Sequence, residues 1–159
     1  ELTLARNEGK QLNEGIVQDY RYDYLCVEPK IVWAPSVFFE AEYKATVSCV
    51  GGGIGEDTSL DPLWEVAQRL TLSLEFHDTE FRLSGEHFYN DLSKNQHLNI
   101  WLADVSLIHK AGKWRFAASA INLFNKEQYR YTLYSAVQSY TSWIKLRPRE
   151  FMVSVQYQW

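Results

Sequence analysis

The sequence has no long run of apolar residues, few cysteines and no cluster of basic residues. A membrane-spanning helix needs about 20 consecutive apolar residues, so only β-strands could cross a bilayer here. The net charge is −4, and without concentrated lysine and arginine we expect no binding to nucleic acid. The polar segment that starts at Glu1 lacks the charged start and apolar middle of a secretory signal, so no signal peptide is expected in this chain.

Sequence patterns for catalysis and cofactor binding are also missing. The chain has no His-Glu-x-x-His helix and no nucleophile elbow, and its four histidines lack metal-ligand spacing. The stretch Gly51–Gly55 lacks the Gly-Lys-Ser/Thr ending of a phosphate-binding loop, and Glu56, Asp57 and Asp61 lack the spacing of a calcium loop. We therefore expect no enzymatic activity, no cofactor and no metal, and a flexible surface loop at Gly51–Gly55.

Apolar and polar residues alternate along most of the chain. From Leu63 to Phe76 the alternation has a period of two, which predicts a β-strand with one apolar face, because strand side chains point alternately to the two faces. Gln68 is the single polar exception on that face, and Val37–Val50 alternates in the same way. The apolar positions of the first segment are Trp64, Val66, Leu70, Leu72, Leu74 and Phe76.

Six further segments bring the predicted number of strands to eight. One of them contains Pro29, which either removes one hydrogen bond from the ladder or marks a bulge, because proline has no N–H. The last strand alternates up to the terminal residue, Trp159. The six segments are Leu2–Ala5, Arg21–Trp33, Phe81–Glu86, Trp101–Leu107, Trp114–Ala120 and Phe151–Trp159.

The predicted connections alternate between short and long, as in outer-membrane β-barrels, which have short periplasmic turns and long extracellular loops. The short connections are Ala34–Ser36, His77–Glu80 and Lys110–Lys113, and the long ones are Gly51–Pro62, Asp91–Gln96 and Thr132–Pro148. Aromatic residues near the short connections are typical of an interfacial girdle. These are Trp33, Phe76, Phe81, Trp114 and Trp159.

We therefore predict an all-β fold, an antiparallel up-and-down transmembrane β-barrel of about eight strands, formed by residues 1–159 as one segment. It would be either the C-terminal part of a larger barrel or a closed small barrel, in the outer membrane of a Gram-negative bacterium. Pairing of Leu2–Ala5 with Phe151–Tyr157 would indicate closure. A soluble, lipocalin-like barrel remains an alternative, with the apolar face turned inward around a ligand.

Two short motifs near the C-terminus resemble a known family. Asn122-Leu123-Phe124-Asn125-Lys126, with Tyr129, is similar to the penultimate-strand element of TonB-dependent outer-membrane transporters. Arg147-Pro148-Arg149-Glu150 looks like the junction before the last strand in the subclass that imports glycans or peptides with a surface lipoprotein. Trp159 stands where the family usually ends in phenylalanine.

The resemblance implies a transport function. The chain would be part of the wall of a transporter that imports a bulky nutrient, such as a glycan or peptide, by a plug rearrangement powered through TonB. Family members close about 22 strands around a plug, so the remaining strands and the plug are expected as partners, together with a surface lipoprotein. A self-contained small outer-membrane barrel with a structural or binding role is the alternative within the membrane.

Charged residues dominate the face opposite the apolar one, where cross-strand ion pairing in a wetted wall is expected. They are Glu28, Lys30, Glu40, Glu42, Lys44, Glu65, Arg69, Glu75, Arg82, Glu86, Asp104 and Arg115. Tyr131, Tyr134, Tyr140 and Trp143 in the last long connection are candidates for stacking on sugar rings, although a role at the rim or in packing of the loop is the favoured explanation. The sequence identifies neither the substrate nor the oligomeric state.

The two cysteines are expected to be free thiols. Counted from a turn at Ala34–Ser36, Cys49 lies roughly seven residues further along the sheet than Cys26 and on the opposite face, an offset of about 20 Å. That offset exceeds the Cα separation that a disulfide permits.

Overall fold

The computed structural model describes residues 1–13, 15–54, 58–93, 96–134 and 139–159. They form antiparallel β-strands and no helix, and thus include no helix that is long and apolar enough to cross a membrane. The strands are β1 (Leu2–Asn13), β2 (Ile16–Val27), β3 (Lys30–Ser36), β4 (Phe39–Ile54), β5 (Thr58–Phe76), β6 (Thr79–Ser93), β7 (Gln96–Ala111), β8 (Trp114–Ile121), β9 (Gln128–Tyr134), β10 (Ser139–Lys145) and β11 (Glu150–Tyr157).

One sheet contains nine of these strands in the order β1-β2-β4-β5-β6-β7-β8-β11, with β3 also paired to β4. Because β2 and β3 pair with successive parts of β4, they act as one long strand, and the predicted path of eight strands is confirmed. β9 and β10 form a separate hairpin. The predicted all-β, antiparallel class is therefore confirmed.

Pro29 removes a hydrogen bond from the ladder without introducing a bulge. Val27 lies opposite Val47 and Lys30 opposite Lys44, so each strand advances by the same number of residues across the interruption. The Pro29 carbonyl still accepts a hydrogen bond of 3.0 Å from the N–H of Ala45. The register shifts further along, between Trp33 and Ser36.

The predicted turn at Ala34–Ser36 is wrong, because these residues belong to β3 and the turn is formed by Val37 and Phe38. Pro35 favoured the turn in the sequence. Among the described strands, β3 pairs only with β4, so its other edge is free and accommodates a residue without an N–H.

Much of the predicted long loop Gly51–Pro62 is also strand, since β4 continues to Ile54 and β5 begins at Thr58. Gly52 pairs with Leu60 across the two strands. Backbone hydrogen bonds need no side chains, so a glycine-rich stretch extends the ladder where neighbouring backbones approach closely. The predicted loop residues Gly55, Glu56 and Asp57 lie outside the described residues.

The other two predicted long connections also contain more strand than predicted. β6 continues to Ser93 and β7 begins at Gln96, which shortens the predicted loop Asp91–Gln96. The predicted stretch Thr132–Pro148 contains β10 and the end of β9. The opening strand also extends well past the predicted Leu2–Ala5.

The sheet is open in the part of the chain that the structure describes. There β1 pairs only with β2 and β11 only with β8, so the pairing that would indicate closure is absent and no closed barrel is present. The outer edges of β1 and β11 consequently have no strand partner among the described residues.

The described residues form almost no apolar core. Among the described residues the buried apolar side chains are Cys26, Ala45, Ile100 and Ala120, and no large side chain is fully buried. The solvent-accessible surface is 11510 Å², whereas a soluble monomer of this mass exposes about 8,200 Å². Folding of these residues alone thus leaves a large apolar area uncovered.

Both cysteines are free, as predicted, although the reason differs from the predicted one. Cys26 lies opposite Ser48, directly next to Cys49 in the register, so the offset of about 20 Å is wrong. It was wrong because the turn lies at Val37–Phe38 rather than at Ala34–Ser36. The thiols stay apart because Cys26 and Cys49 occupy opposite faces of the sheet, where no disulfide can form.

Candidate functional site

One face of the sheet is apolar across all eight strand positions of the main path. The strand pairing places Val47 beside Val66, Leu72 beside Leu83, and Ala118 beside Val153. Several of these side chains are exposed, among them Leu70 at 44% and Val153 at 80%. We call this surface the apolar face; it includes Leu2, Leu4, Leu25, Val27, Ile31, Trp33, Ala41, Val47, Val66, Leu70, Leu72, Leu74, Leu83, Val105, Leu107, Ala118, Phe151, Val153 and Val155.

An aromatic row borders the apolar face at the end with the short turns, Val37–Phe38, His77–Asp78 and Gly112–Lys113. Neighbouring rings of this row contact one another. The pairs are Trp33 with Phe39 at 5.5 Å, Phe38 with Phe76 at 6.4 Å, Trp114 with Tyr157 at 4.8 Å and Tyr157 with Trp159 at 5.6 Å between centroids.

A second row lies towards the other end of the strands, with Trp64 and Trp101 exposed on the same face. Trp64 precedes Phe76 by twelve residues in β5, a distance of roughly 40 Å along an extended strand. In a strand tilted by about 45° this distance corresponds to roughly 28 Å along the normal. The apolar band of outer-membrane barrels is about 25 Å tall between its aromatic girdles.

Gln68, the exception in the sequence pattern, belongs to a hydrogen-bonded chain across the apolar face. Its Oε1 accepts a bond of 2.8 Å from the Tyr43 hydroxyl, and its Nε2 lies 2.7 Å from His87 Nδ1. His87 Nε2 lies 3.0 Å from Asn99 Oδ1, and the imidazole stacks on Trp101 at 4.2 Å. The polar atoms thereby satisfy one another on a surface that is otherwise apolar.

The opposite, charged face has several of the predicted ion pairs. Glu42 lies between Lys30 at 3.2 Å on β3 and Lys44 at 2.6 Å on its own strand. Arg69 pairs with Glu86 across β5 and β6. Because these side chains are partly exposed, each pair contributes little stability.

The first motif, Asn122–Lys126, is held together by hydrogen bonds to Asn122. The backbone of Asn122 is left-handed at φ 53°, and the residue is 4% exposed. Its Nδ2 donates to the carbonyl oxygens of Lys126 at 2.8 Å and Arg147 at 2.7 Å. Its Oδ1 accepts from the N–H of Lys126 at 2.9 Å, and its own N–H donates to Asp104 at 2.7 Å.

One more bond joins the second motif to the first, and another joins the residues that flank them. The N–H of Arg149 donates to Asn125 Oδ1 at 3.0 Å, and the N–H of Leu146 donates to the Glu127 carbonyl at 3.0 Å. Glu150 then pairs with Ile121 at the start of β11. The two motifs are thus brought together at the base of the β9–β10 hairpin; we call this set of bonds the Asn122 latch.

Of the remaining motif residues, all except Trp159 lie near this latch. Tyr129 contacts Phe88 on β6 with ring centroids 5.1 Å apart. Phe124 and Pro148 are exposed, Leu123 donates its N–H to Ala103, and Trp159 is fully exposed beyond the end of β11.

The four candidate ligand-contacting aromatic residues fall on the hairpin. Tyr140 and Trp143 are both exposed, but they are an odd number of residues apart on β10 and point to opposite faces, so they form no common platform. Tyr131 and Tyr134 belong to β9, and their side chains lie outside what the structure describes. Sequence reasoning missed Arg130, whose guanidinium lies 4.8 Å from the centre of the Trp143 ring. The alternation of aromatic and polar residues over Tyr129–Thr132 was the signal in the sequence that could have identified β9.

A cavity of about 120 Å³ lies on the charged face beneath the hairpin, lined by Tyr22, Tyr24, Glu65, Asn90 and Thr132 among others. Burial raises the pKa of Glu65. A hydrogen bond with Cys26, together with burial, raises the pKa of Tyr24 to about 12. The cavity therefore presents hydroxyl, amide and carboxyl groups to a small polar ligand.

Two charged residues at the long-loop end form the closest ion pair of β1 and β2. Arg6 lies 2.6 Å from Asp23, and this hydrogen bond lowers the pKa of the Asp23 carboxyl. No group of three or more potential metal ligands occurs among the described residues.

Comparison with known proteins gives no match: no protein-family model and no curated protein matches the sequence, and no solved structure matches the fold.

Proposed function

We propose that this chain is part of the wall of a TonB-dependent transporter in the outer membrane of a Gram-negative bacterium. In this proposal the apolar face contacts lipid and the charged face lines the interior. The protein imports a bulky nutrient of the glycan or peptide class and catalyses no reaction.

The observation that carries the proposal is the continuous, exposed apolar face between two aromatic rows. The solvent-accessible surface of the chain, 11510 Å², exceeds that of a soluble monomer by about 3,300 Å², and lipid contact removes the apolar part of this surface from water. In β5 the membrane-spanning part is Val66–Phe76, close to the 9–11 residues that a tilted strand needs.

The open sheet supports the assignment to a large barrel. Backbone N–H and C=O groups at a strand edge are costly in lipid because they find no water there. The outer edges of β1 and β11 therefore require further strands, and a barrel of about 22 strands supplies them. The plug and the additional strands are partners in this proposal.

The Asn122 latch supports the family assignment specifically. The two motifs that resemble the transporter family are far apart in sequence, yet Asn122 and Asn125 bond directly to the backbone of Arg147 and Arg149. The pairing of Ile121 with Glu150 brings the two segments together, and these bonds give the asparagines of the first motif a defined role at that junction.

Membrane fractionation tests the location. The full-length protein, expressed in a Gram-negative host, should sediment with the outer membrane, resist extraction by alkaline carbonate and enter solution only with detergent. Recovery as a monodisperse monomer in buffer without detergent would contradict the lipid-facing wall.

Growth experiments test the transport class. A strain that lacks this protein should lose growth on a complex glycan or on peptides as sole nutrient, and loss of TonB should have the same effect. Growth of the deletion strain at the normal rate on every such polymer, with the protein normally expressed in the parent, would contradict import of this class of nutrient.

A further inference from the structure

The β9–β10 hairpin leaves the plane of the wall between β8 and β11. These two strands pair directly with each other, Ile121 opposite Glu150, so the sheet continues without the hairpin. The hairpin contacts the wall through Phe88 and Asn90, which both lie on the charged face. It is therefore folded over the interior side of the sheet.

The hairpin is fixed at its base. The Asn122 latch connects the chain that enters the hairpin, at Lys126, to the chain that leaves it, at Arg147, through the two hydrogens of one amide group. Because Asn122 also donates its N–H to Asp104, the latch is anchored to β7 in the wall.

The hairpin is fixed a second time along its length. The Asn90 side chain, 3% exposed, donates to the Thr132 carbonyl at 3.3 Å and accepts from the Thr132 N–H at 3.4 Å. Its amide thus bonds to the free edge of β9 as a residue of a neighbouring strand would. Thr132 itself is 4% exposed.

A loop that is attached only at its ends can swing outward, whereas this hairpin is held at its base and at mid-length. We propose that the β9–β10 hairpin is a fixed constriction that narrows the passage along the charged face, held inward by Asn122 and Asn90. Tyr129 packs on Phe88 of the sheet, and Trp143, which pairs with the next residue, Arg130, lies on the opposite face of the hairpin. Trp143 is exposed and faces away from the sheet, towards that passage. The inference rests on the proposed function, because a passage exists only if the sheet is part of a barrel.

Amide hydrogen exchange of the full-length protein in detergent tests the latch. Asn122→Gly keeps a residue that tolerates φ 53° and removes only the amide. It should speed exchange in β9 and β10 by about tenfold or more and leave β4–β7 unchanged. Asn99→Ala is the matched control, because its amide bonds to His87 on the apolar face. Unchanged exchange in the hairpin of the Asn122→Gly variant would overturn the proposal.

Size-graded thiol labelling in intact cells tests the constriction. In a Cys26→Ser, Cys49→Ser background, Trp143→Cys should react with a small methanethiosulfonate and exclude a 5-kDa polyethylene glycol maleimide by at least about tenfold. Lys10→Cys, exposed near the β1–β2 turn, should react with both reagents.

The outcomes separate the two proposals. If Lys10→Cys reacts with both reagents and Trp143→Cys also reacts fully with the bulky one, the hairpin is an ordinary surface loop and the constriction is overturned alone. If Lys10→Cys reacts with neither reagent in intact cells but with both after lysis, the outer-membrane location fails, and the constriction fails with it.

Discussion

Adjacent residues of β5 face opposite sides of the sheet, which allows a matched test of the lipid contact at the scale of single residues. Leu72 lies on the apolar face beside Leu83, and Thr71 lies on the charged face beside Ser84. Leu72→Arg should destabilise the protein in lipid vesicles by about 2–4 kcal/mol, because the charge enters the apolar band. Thr71→Arg should have little effect. Urea unfolding measures both, and equal destabilisation would reverse or remove the assignment of the faces.

The polar chain on the apolar face is a second feature at the residue scale. Gln68→Leu should cost roughly 1–3 kcal/mol of unfolding free energy, because it leaves the Tyr43 hydroxyl and His87 Nδ1 without their partner. Tyr43→Phe removes only the hydroxyl at one end of this series of hydrogen bonds and should cost roughly 0.5–1.5 kcal/mol of unfolding free energy. A stabilising effect of Gln68→Leu would show that apolar area outweighs the hydrogen bonds.

At the scale of the strand, two adjacent glycines of β4 differ in what surrounds them. A Cβ on Gly52, at φ +156°, would meet the backbone of Arg21 on β2, whereas the nearest atom to a Cβ on Gly51 is 4.0 Å away on Pro62. Gly52→Ala should therefore destabilise the β2–β4 pairing by about 1–3 kcal/mol, and Gly51→Ala by less than about 1 kcal/mol. Thermal unfolding in detergent measures the difference, and similar shifts for both variants would contradict the close approach at Gly52.

The strands themselves were predictable from the sequence, and their ends were not. Alternation identified β4–β8 and β11 because each has one apolar and one more polar face. It missed the extension of β4 through Gly51–Gly53, since a ladder of backbone bonds has no side-chain signature. Pro35 suggested a turn, but a free strand edge accepts proline. The hairpin was missed because each of its strands has only seven residues, fewer than the 9–11 expected of a strand that crosses a membrane.

At the scale of the whole molecule, the open edges make a prediction about the full-length protein. If the protein is part of a larger membrane barrel, as proposed, amides along β11 and β1 should exchange in the membrane as slowly as those of β5, because additional strands would cover both edges. Exchange of β11 amides at the rate of exposed loops, with β5 protected, would show that the sheet ends at this strand.

The sequence could not show whether the sheet closes into a barrel or how the Asn122 latch is bonded, and the reason is the same. Both depend on contacts between distant segments, and neither leaves a periodic pattern. The motifs at Asn122–Lys126 and Arg147–Glu150 were visible as a resemblance, whereas their mutual bonding through Asn122 and Asn125 became apparent only in three dimensions.

The pairing of β8 with β11 differs from the other pairings of the main sheet in how it is reached during folding. The other neighbouring strands of the main sheet follow one another along the chain with few residues between them. They can therefore pair locally, which is fast. β11 must first close the long loop that contains the hairpin, at an entropic cost that grows with loop length. If the Asn122 latch forms beforehand, it shortens that loop to a few residues. Asn122 and Asn125 would then set the rate at which β11 pairs with β8.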